Sequence, residues 1–177
     1  PGHVNAYSNR GLAFQMKGDY ERALADYVVA IKLDPKDLPA LIYRSQIHRQ
    51  AGNYDLALAD LDTAIRITPD DADLYHARGM LLYAQYMGAS AWIRKSDLER
   101  AIADFSQMIR LEPKSGLGYY LRGKAHGTNG DRDRAIADLI EGSKLDPIHP
   151  GIRTTLKELK PDYEVPKMSV LELLKAP

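Results

Sequence analysis

Apolar residues recur at helical spacing in four segments of this chain. In the first of them Leu24, Tyr27 and Ile31 lie three and four residues apart, which places them on one face of a helix. A second helix-like run lies upstream of each segment, and each segment ends at a proline. The pattern therefore predicts four helix pairs. The four segments read ERALADYVVAIKLDP, DLALADLDTAIRITP, ERAIADFSQMIRLEP and DRAIADLIEGSKLDP.

Glycine and proline divide the chain at regular distances. Gly18, Gly52 and Gly130 stand between the paired runs, where a helix is expected to stop. The prolines that end the segments are separated by 34, 44 and 34 residues. The third unit is thus ten residues longer than the others, and we expect the extra residues between about Tyr83 and Lys95. Ser96 and Glu99 form a capping box that predicts the next helix near Asp97.

A 34-residue helical pair of this kind resembles the tetratricopeptide repeat (TPR), whose pattern is W-x2-L-G-x2-Y, then A-x3-F, then P. The first unit matches it at Tyr7, Gly11, Phe14, Ala23, Tyr27 and Pro35. The resemblance extends over residues 4–149 and implies an all-α fold, an α-solenoid of four TPR helix pairs. The implied repeats are about 4–37, 38–71, 72–115 and 116–149. A capping helix at about 150–160 completes a domain of residues 1–160, and 161–177 form a tail with a short helix.

One segment comes close to a nucleotide-binding loop. Gly118, Gly123 and Lys124 fit G-x-x-x-x-G-K-[ST], but Ala125 replaces the hydroxyl that would hold magnesium. In the repeat register Gly123 is instead the small residue of a first helix, where a small side chain lets paired helices approach. We therefore expect a mid-helix position and no nucleotide or other cofactor.

Each unit carries an arginine where the family pattern has leucine, and an aspartate in its second helix. The separation is 16 residues in three units and 26 in the third. Arginine can hold a carboxylate through two hydrogen bonds while its stem packs on apolar neighbours. We predict that these residues pair across or between repeats, with a structural role favoured over ligand binding. The residues are Arg10, Arg44, Arg78 and Arg122, with Asp26, Asp60, Asp104 and Asp138.

In the TPR family the first helices line a groove that holds a partner segment. The resemblance implies a groove here, and the lysine and asparagine clamp that some members use for chaperone tails is absent. The expected ligand is therefore an apolar or amphipathic protein or peptide segment. Alternatively, some of these tyrosines and leucines are only packed between repeats. The groove positions are Asn9, Leu12, Tyr43, Gln46, His76, Met80, Tyr83, Tyr120, Leu121 and Lys124.

Two irregular parts of the chain add other possibilities. The insertion in the third unit contains the only tryptophan, so Trp92 and Ile93 form a possible second contact, although folding back on the adjoining repeat is favoured. After the fourth unit, apolar residues on one helical face predict a cap for the end of the repeats. The tail beyond it, or the Trp92 insertion, provides an alternative function in self-assembly as a homo-oligomer.

Composition narrows the function classes. Lys plus Arg and Asp plus Glu each total 24, so net charge gives no reason to expect nucleic acid or a membrane as partner. The chain has no cysteine, no metal-binding histidine pair and no motif of a known catalytic nucleophile. We therefore predict a soluble, non-catalytic scaffold or adaptor with no catalytic or metal-binding residues, in the cytoplasm or a bacterial periplasm. A regulatory domain of a larger enzyme is a further alternative.

Overall fold

The computed structural model describes residues 2–88 and 95–164, and within these ranges the chain forms helices and no strands. The predicted all-α fold of the α-solenoid class is confirmed. No helix in the described part of the chain has the length and apolar character needed to cross a membrane. The helices are α1 (Gly2–Met16), α2 (Tyr20–Leu33), α3 (Leu38–Gln50), α4 (Tyr54–Ile67), α5 (Ala72–Gly88), α6 (Lys95–Leu111), α7 (Gly116–Thr128), α8 (Arg132–Leu145) and α9 (Pro150–Leu159).

Contacts divide the chain into two compact units, each larger than a single repeat: Pro1–Leu81, which is called the first unit from here on, and Leu82–Pro177, the second unit. Helix α5 begins in the first and ends in the second. The expected division into a domain of residues 1–160 and a tail stays a prediction. The predicted tail helix falls beyond residue 164, outside the described residues.

The turns within repeats form at the predicted glycines. Gly18, Gly52 and Gly130 have φ values of 76°, 75° and 83°, in the left-handed region that side chains other than glycine rarely adopt. Each of the following helices then begins at a polar cap. The carboxylates of Asp19 and Asp131 accept hydrogen bonds from backbone N–H groups in the first turns of α2 and α8.

In the first unit, α1, α2 and α3 enclose a small core around Tyr27. This side chain is fully buried, and a Cβ added at Gly11 would lie 2.7 Å from its ring. The small residue of the repeat pattern is therefore required for α1 to approach α2. The Tyr27 hydroxyl donates a 2.8 Å hydrogen bond to Gln15, and burial raises the pKa of Tyr27 to about 12.

The second unit shows the same packing at Gly123, which lies inside α7 as predicted. A Cβ there would be 3.1 Å from Cγ of Leu139 and 3.2 Å from the carbonyl oxygen of Ala135 in α8. The backbone of Gly123 is part of a helix packed on another helix, unlike a loop that wraps around a phosphate. Beyond α8, helix α9 buries Ile152 and Leu156 in a cluster with Leu139.

Part of the insertion expected between about Tyr83 and Lys95 extends the first helix of the third repeat. Helix α5 continues through Tyr83 to Gly88, because residues 84–87 contain no glycine or proline to stop it. Helix α6 begins at Lys95, two residues before Asp97. Residues 89–94 lie outside the described part of the chain.

Three of the four predicted arginine–aspartate pairs are confirmed. In each, Nε and Nη2 of the arginine donate to the two carboxylate oxygens at 2.6–2.9 Å, and the aspartate side chain is at most 10% exposed. The pairs are Arg10–Asp26, Arg44–Asp60 and Arg122–Asp138.

Arg78, the arginine of the third repeat, has a different partner among the pairs that the structure shows. Nη1 of Arg78 donates a 2.7 Å bond to Asp62 in α4, the second helix of the preceding repeat. Arg122 likewise donates to Ser106 in α6. An arginine at this position can therefore join one repeat to the one before it. The predicted pairing of Arg78 with Asp104 stays a prediction.

Candidate partner-binding site

A cavity of about 400 Å³ opens on the first unit, between the first helices α3 and α5 with α4 beneath them. It contains Gln46, His76 and Met80, three of the predicted groove residues. Packing of consecutive first helices brings them together, since Gln46 lies on α3 and the other two lie one turn apart on α5. The complete lining is Ser45, Gln46, Arg49, Leu61, His76, Ala77, Met80 and Leu81.

The cavity has an apolar floor and a polar rim. Leu61 and Leu81 are buried, as is Ser45, whose hydroxyl bonds to the backbone of α3, whereas Met80 is 40% exposed. Methionine is flexible and polarizable, so it can adapt its shape to different apolar groups. Gln46, Arg49 and His76 supply polar groups at the edge. An apolar surface with a few polar groups around it is suited to holding a side chain of another protein.

Hydrogen bonds orient the glutamine on the rim. Oε1 of Gln46 accepts a 3.3 Å bond from Nε2 of Gln15, and Oε1 of Gln15 accepts from the hydroxyl of Tyr27. These two hydrogen bonds connect the cavity to the core of the first unit. Within the described residues the amide nitrogen of Gln46 has no acceptor, so it is available as a donor.

The second unit holds a cluster of Tyr83, Tyr120 and Lys124, which we call the lysine cluster. The ammonium nitrogen of Lys124 lies 5.8 Å from the ring centre of Tyr83 and 5.6 Å from that of Tyr120, within the range of cation–π attraction. The hydroxyl of Tyr83 shares a 2.8 Å hydrogen bond with Thr128. The ring of Tyr120 packs on His149, with centroids 4.8 Å apart. All three predicted residues are half-buried.

The other predicted groove positions differ in how accessible they are. Asn9 is exposed on α1, and Leu12 is half-buried on the same helix. Tyr43 packs against Tyr27, with ring centres 6.0 Å apart, so much of its surface belongs to the core of the first unit. Leu121 is only 8% exposed and is therefore a packing residue. The possible second contact, Trp92 and Ile93, lies outside the described residues.

The sequence interpretation did not select Arg49 and the cavity floor. Arg49 lies one turn beyond Gln46 on α3, so helical spacing alone could have placed it beside that groove residue. Leu61 and Leu81 carry no signal that separates them from ordinary core residues. Whether a cavity remains above them depends on the side chains of two neighbouring repeats.

Two histidines, each with a buried ring nitrogen, stand apart from the cavity at equivalent positions of the second and fourth repeats. Nδ1 of His48 and Nδ1 of His126 are buried and make no hydrogen bond in the described part of the protein. Nε2 of His126 lies 4.0 Å from a carboxylate oxygen of Asp138. The first and third repeats have the apolar Phe14 and Leu82 at this position.

Burial lowers the pKa of both histidines below the ordinary value of about 6.5. The folded protein therefore favours neutral rings, whereas the unfolded chain binds protons near pH 6.5. It follows that their contribution to stability is complete above about pH 6.5 and is lost as the pH falls below it. Nearby charges are Asp60 and Arg44 at His48, and Asp138, Asp131, Arg122 and Arg134 at His126. Among the described residues, no group of three or more histidines or carboxylates is arranged to hold a metal ion.

Comparison with known families matches most of the repeats. Models described as "Tetratricopeptide repeat" match residues 4–37 and 118–149, and one described as "TPR repeat" matches residues 46–85. A curated relative is the DnaJ homolog subfamily C member 7 homolog of Schizosaccharomyces pombe, 27% identical over 161 residues. The match includes 87% of this chain and 34% of the relative, so the chain spans about a third of that protein.

Solved structures give the same result for the fold. MamA is 18% identical with a TM-score of 0.76, over 89% of this chain and 80% of that one. MamA from Desulfovibrio magneticus RS-1 is 17% identical with a TM-score of 0.76, over 90% and 84%. A thermophilic TPR protein of Thermus thermophilus is 27% identical with a TM-score of 0.63, over 88% and 80%. With the repeat matches and the packing of α1–α4 and α7–α8, these likenesses show that the chain belongs to the tetratricopeptide repeat family.

Proposed function

We propose that this protein is an adaptor whose first helices bind an apolar or amphipathic segment of a partner protein. Tetratricopeptide repeat proteins are generally non-catalytic scaffolds that bind other proteins. The observation that carries the finer proposal is the open cavity between α3 and α5, lined by the exposed apolar side chain of Met80.

The character of the cavity supports a protein segment as the ligand. Its floor is apolar and already ordered by the repeat packing, so a partner side chain can bury apolar surface without rearranging the helices. Its polar rim can satisfy the polar groups that accompany a peptide backbone. An amphipathic helix presents apolar residues three and four apart, which suits a groove between helices.

The lysine cluster supports the same function in the second unit. Tyrosines combine a large apolar ring with a polar end, and they are common anchors in protein interfaces. Tyr83 and Tyr120 are held in place by Thr128 and His149, so they present rigid rings. Rigid contact groups lose less conformational entropy when a partner binds.

Affinity capture with two matched variants tests the proposal. Met80→Glu places a charge at the cavity, whereas Leu56→Glu places the same charge on α4 at an apolar side chain that is 54% exposed. Proteins captured by the wild type and by Leu56→Glu, but lost with Met80→Glu, are the expected ligands. An identical set of captured proteins for all three would contradict the proposal, provided that circular dichroism shows both variants to be folded.

A further inference from the structure

We propose that the cavity selects a segment in which a carboxylate lies beside an apolar anchor side chain. This inference rests on the proposed function and specifies its ligand: the apolar side chain fills the cavity, and an aspartate or glutamate on the same segment binds Arg49.

The charge of Arg49 has no counterpart in the described part of the protein. Its side chain is exposed on α3 at the edge of the cavity and makes no ion pair with any carboxylate of the described residues. By contrast, Arg10, Arg44 and Arg122 each hold an aspartate. No carboxylate of residues 2–88 or 95–164 lines the cavity. An incoming negative charge would therefore meet a guanidinium that is not already neutralised, whereas a lysine or arginine would be repelled.

The hydrogen-bonding groups at the rim favour an acceptor as well. Among the described residues the amide nitrogen of Gln46 is a donor without an acceptor, whereas its oxygen already accepts one bond from Gln15. The hydroxyl of Ser45 already donates to the carbonyl oxygen of Ile42. A carboxylate accepts hydrogen bonds only, and its bonds to a guanidinium are among the stronger ones in proteins.

The three junctions between first helices carry different residue pairs at equivalent positions. Each pair combines a residue near the end of one first helix with a residue at a fixed position of the next first helix. In the first junction two glutamines form a hydrogen bond, and in the third a tyrosine ring lies under a lysine. In the middle junction the equivalent positions hold an arginine and a methionine, which line the same cavity, and a thioether is only a weak hydrogen-bond acceptor. The equivalent pairs are Gln15–Gln46, Arg49–Met80 and Tyr83–Lys124.

The size of the cavity limits the anchor to a single segment. At about 30 Å³ for each water, 400 Å³ corresponds to roughly a dozen water molecules. This accommodates one large aliphatic or aromatic side chain with part of its backbone. In a helical segment, a carboxylate three or four residues from the anchor lies on the same face. Such a spacing allows one segment to reach both the floor at Leu61 and the guanidinium of Arg49.

The test uses three capped, alanine-based helical peptides that carry one leucine and, four residues later, Glu, Gln or Lys. Binding is followed by NMR of methionine methyl groups, with Met80 reporting on the cavity, and of the Tyr83 and Tyr120 rings. The Glu peptide is expected to shift the Met80 signal and to bind roughly five- to tenfold more tightly than the Gln peptide, with the Lys peptide weakest. Arg49→Gln should remove the preference, and Arg49→Lys should retain part of it.

The outcomes separate this inference from the proposed function. Equal affinity of all three peptides at Met80 would overturn the charge preference and leave groove binding intact. Peptides that shift only the Tyr83 and Tyr120 signals would overturn the role of the cavity alone. If no peptide shifts either set of signals, both proposals fail. Hexanoate that binds at Met80 more tightly than the Glu peptide would assign the cavity to a free aliphatic acid and overturn the inference.

Discussion

Removing Asp60 tests whether the arginine–aspartate pairs hold the two helices of a repeat together. Asp60 is 5% exposed, and its carboxylate binds Arg44 through two bonds of 2.9 and 2.6 Å. The side chain of Arg44 is itself only 22% exposed. In Asp60→Ala the guanidinium loses its partner in a place that water reaches poorly, so the folded state retains a charge that is neither paired nor well solvated.

Loss of one partner of a buried ion pair costs about 3–5 kcal/mol. Because Arg44 retains some contact with water, we expect the lower end of this range, about 3 kcal/mol, for Asp60→Ala. For a chain of this size each kcal/mol lowers the melting temperature by about 2–4 °C, which gives a decrease of roughly 6–12 °C. Urea unfolding followed by circular dichroism measures the free energy directly.

Asp26→Ala is the matched control, since it removes a carboxylate with the same two-bond geometry. Its partner Arg10 is 60% exposed and can be solvated after the substitution, so we expect a clearly smaller loss. A second control, Arg44→Met combined with Asp60→Ala, removes both charges and should recover much of the stability. Equal losses for Asp26→Ala and Asp60→Ala, or a double variant no more stable than Asp60→Ala, would refute the reasoning.

Three further predictions follow from particular positions. Gly11→Ala places a Cβ 2.7 Å from a buried tyrosine ring and should lower the free energy of unfolding by about 1–3 kcal/mol, whereas a Cβ at Gly127 meets its nearest neighbour at 3.7 Å, so Gly127→Ala should raise it by about 0.5–1 kcal/mol. Urea unfolding measures both changes, and changes of the same sign would contradict the packing described for Gly11. The double variant of His48→Phe and His126→Leu should lose less stability than the wild type as the pH falls from about 6.5 to 5. Urea unfolding across that range measures the free energy of unfolding, and parallel pH profiles of the two proteins would show that the histidines do not titrate as described. Light scattering should give a mass near 19.8 kDa at all concentrations, while a dimer that disappears on deletion of 162–177 would favour self-assembly instead.

Much of the fold could be predicted because the repeat pattern occurs four times in the sequence. Gly18, Gly52 and Gly130 mark turns that require positive φ, and the apolar spacing around Tyr27 defines a helix face, so local chemistry determines these elements. The arginine–aspartate pairs were also predictable, since a constant separation of 16 residues places Arg44 and Asp60 at one interface.

The site was less predictable because it depends on differences between repeats. Tyr43 and Leu121 occupy groove positions in the repeat register, yet neighbouring side chains partly or fully bury them. Arg49 becomes significant only because it lines the same cavity as Met80, whose thioether is a weak hydrogen-bond acceptor. Register identifies which positions lie side by side, whereas the volume left between them follows from packing.

Site-specific photocrosslinking tests the central claim most directly. A benzoylphenylalanine is placed at Met80, beside the cavity, or at Leu56, an exposed apolar residue on α4. Mass spectrometry then identifies the partner segment attached at each position. The account predicts that one segment with apolar residues crosslinks at position 80 and not at position 56. Crosslinking of the same partner at position 56 and not at position 80 would contradict it.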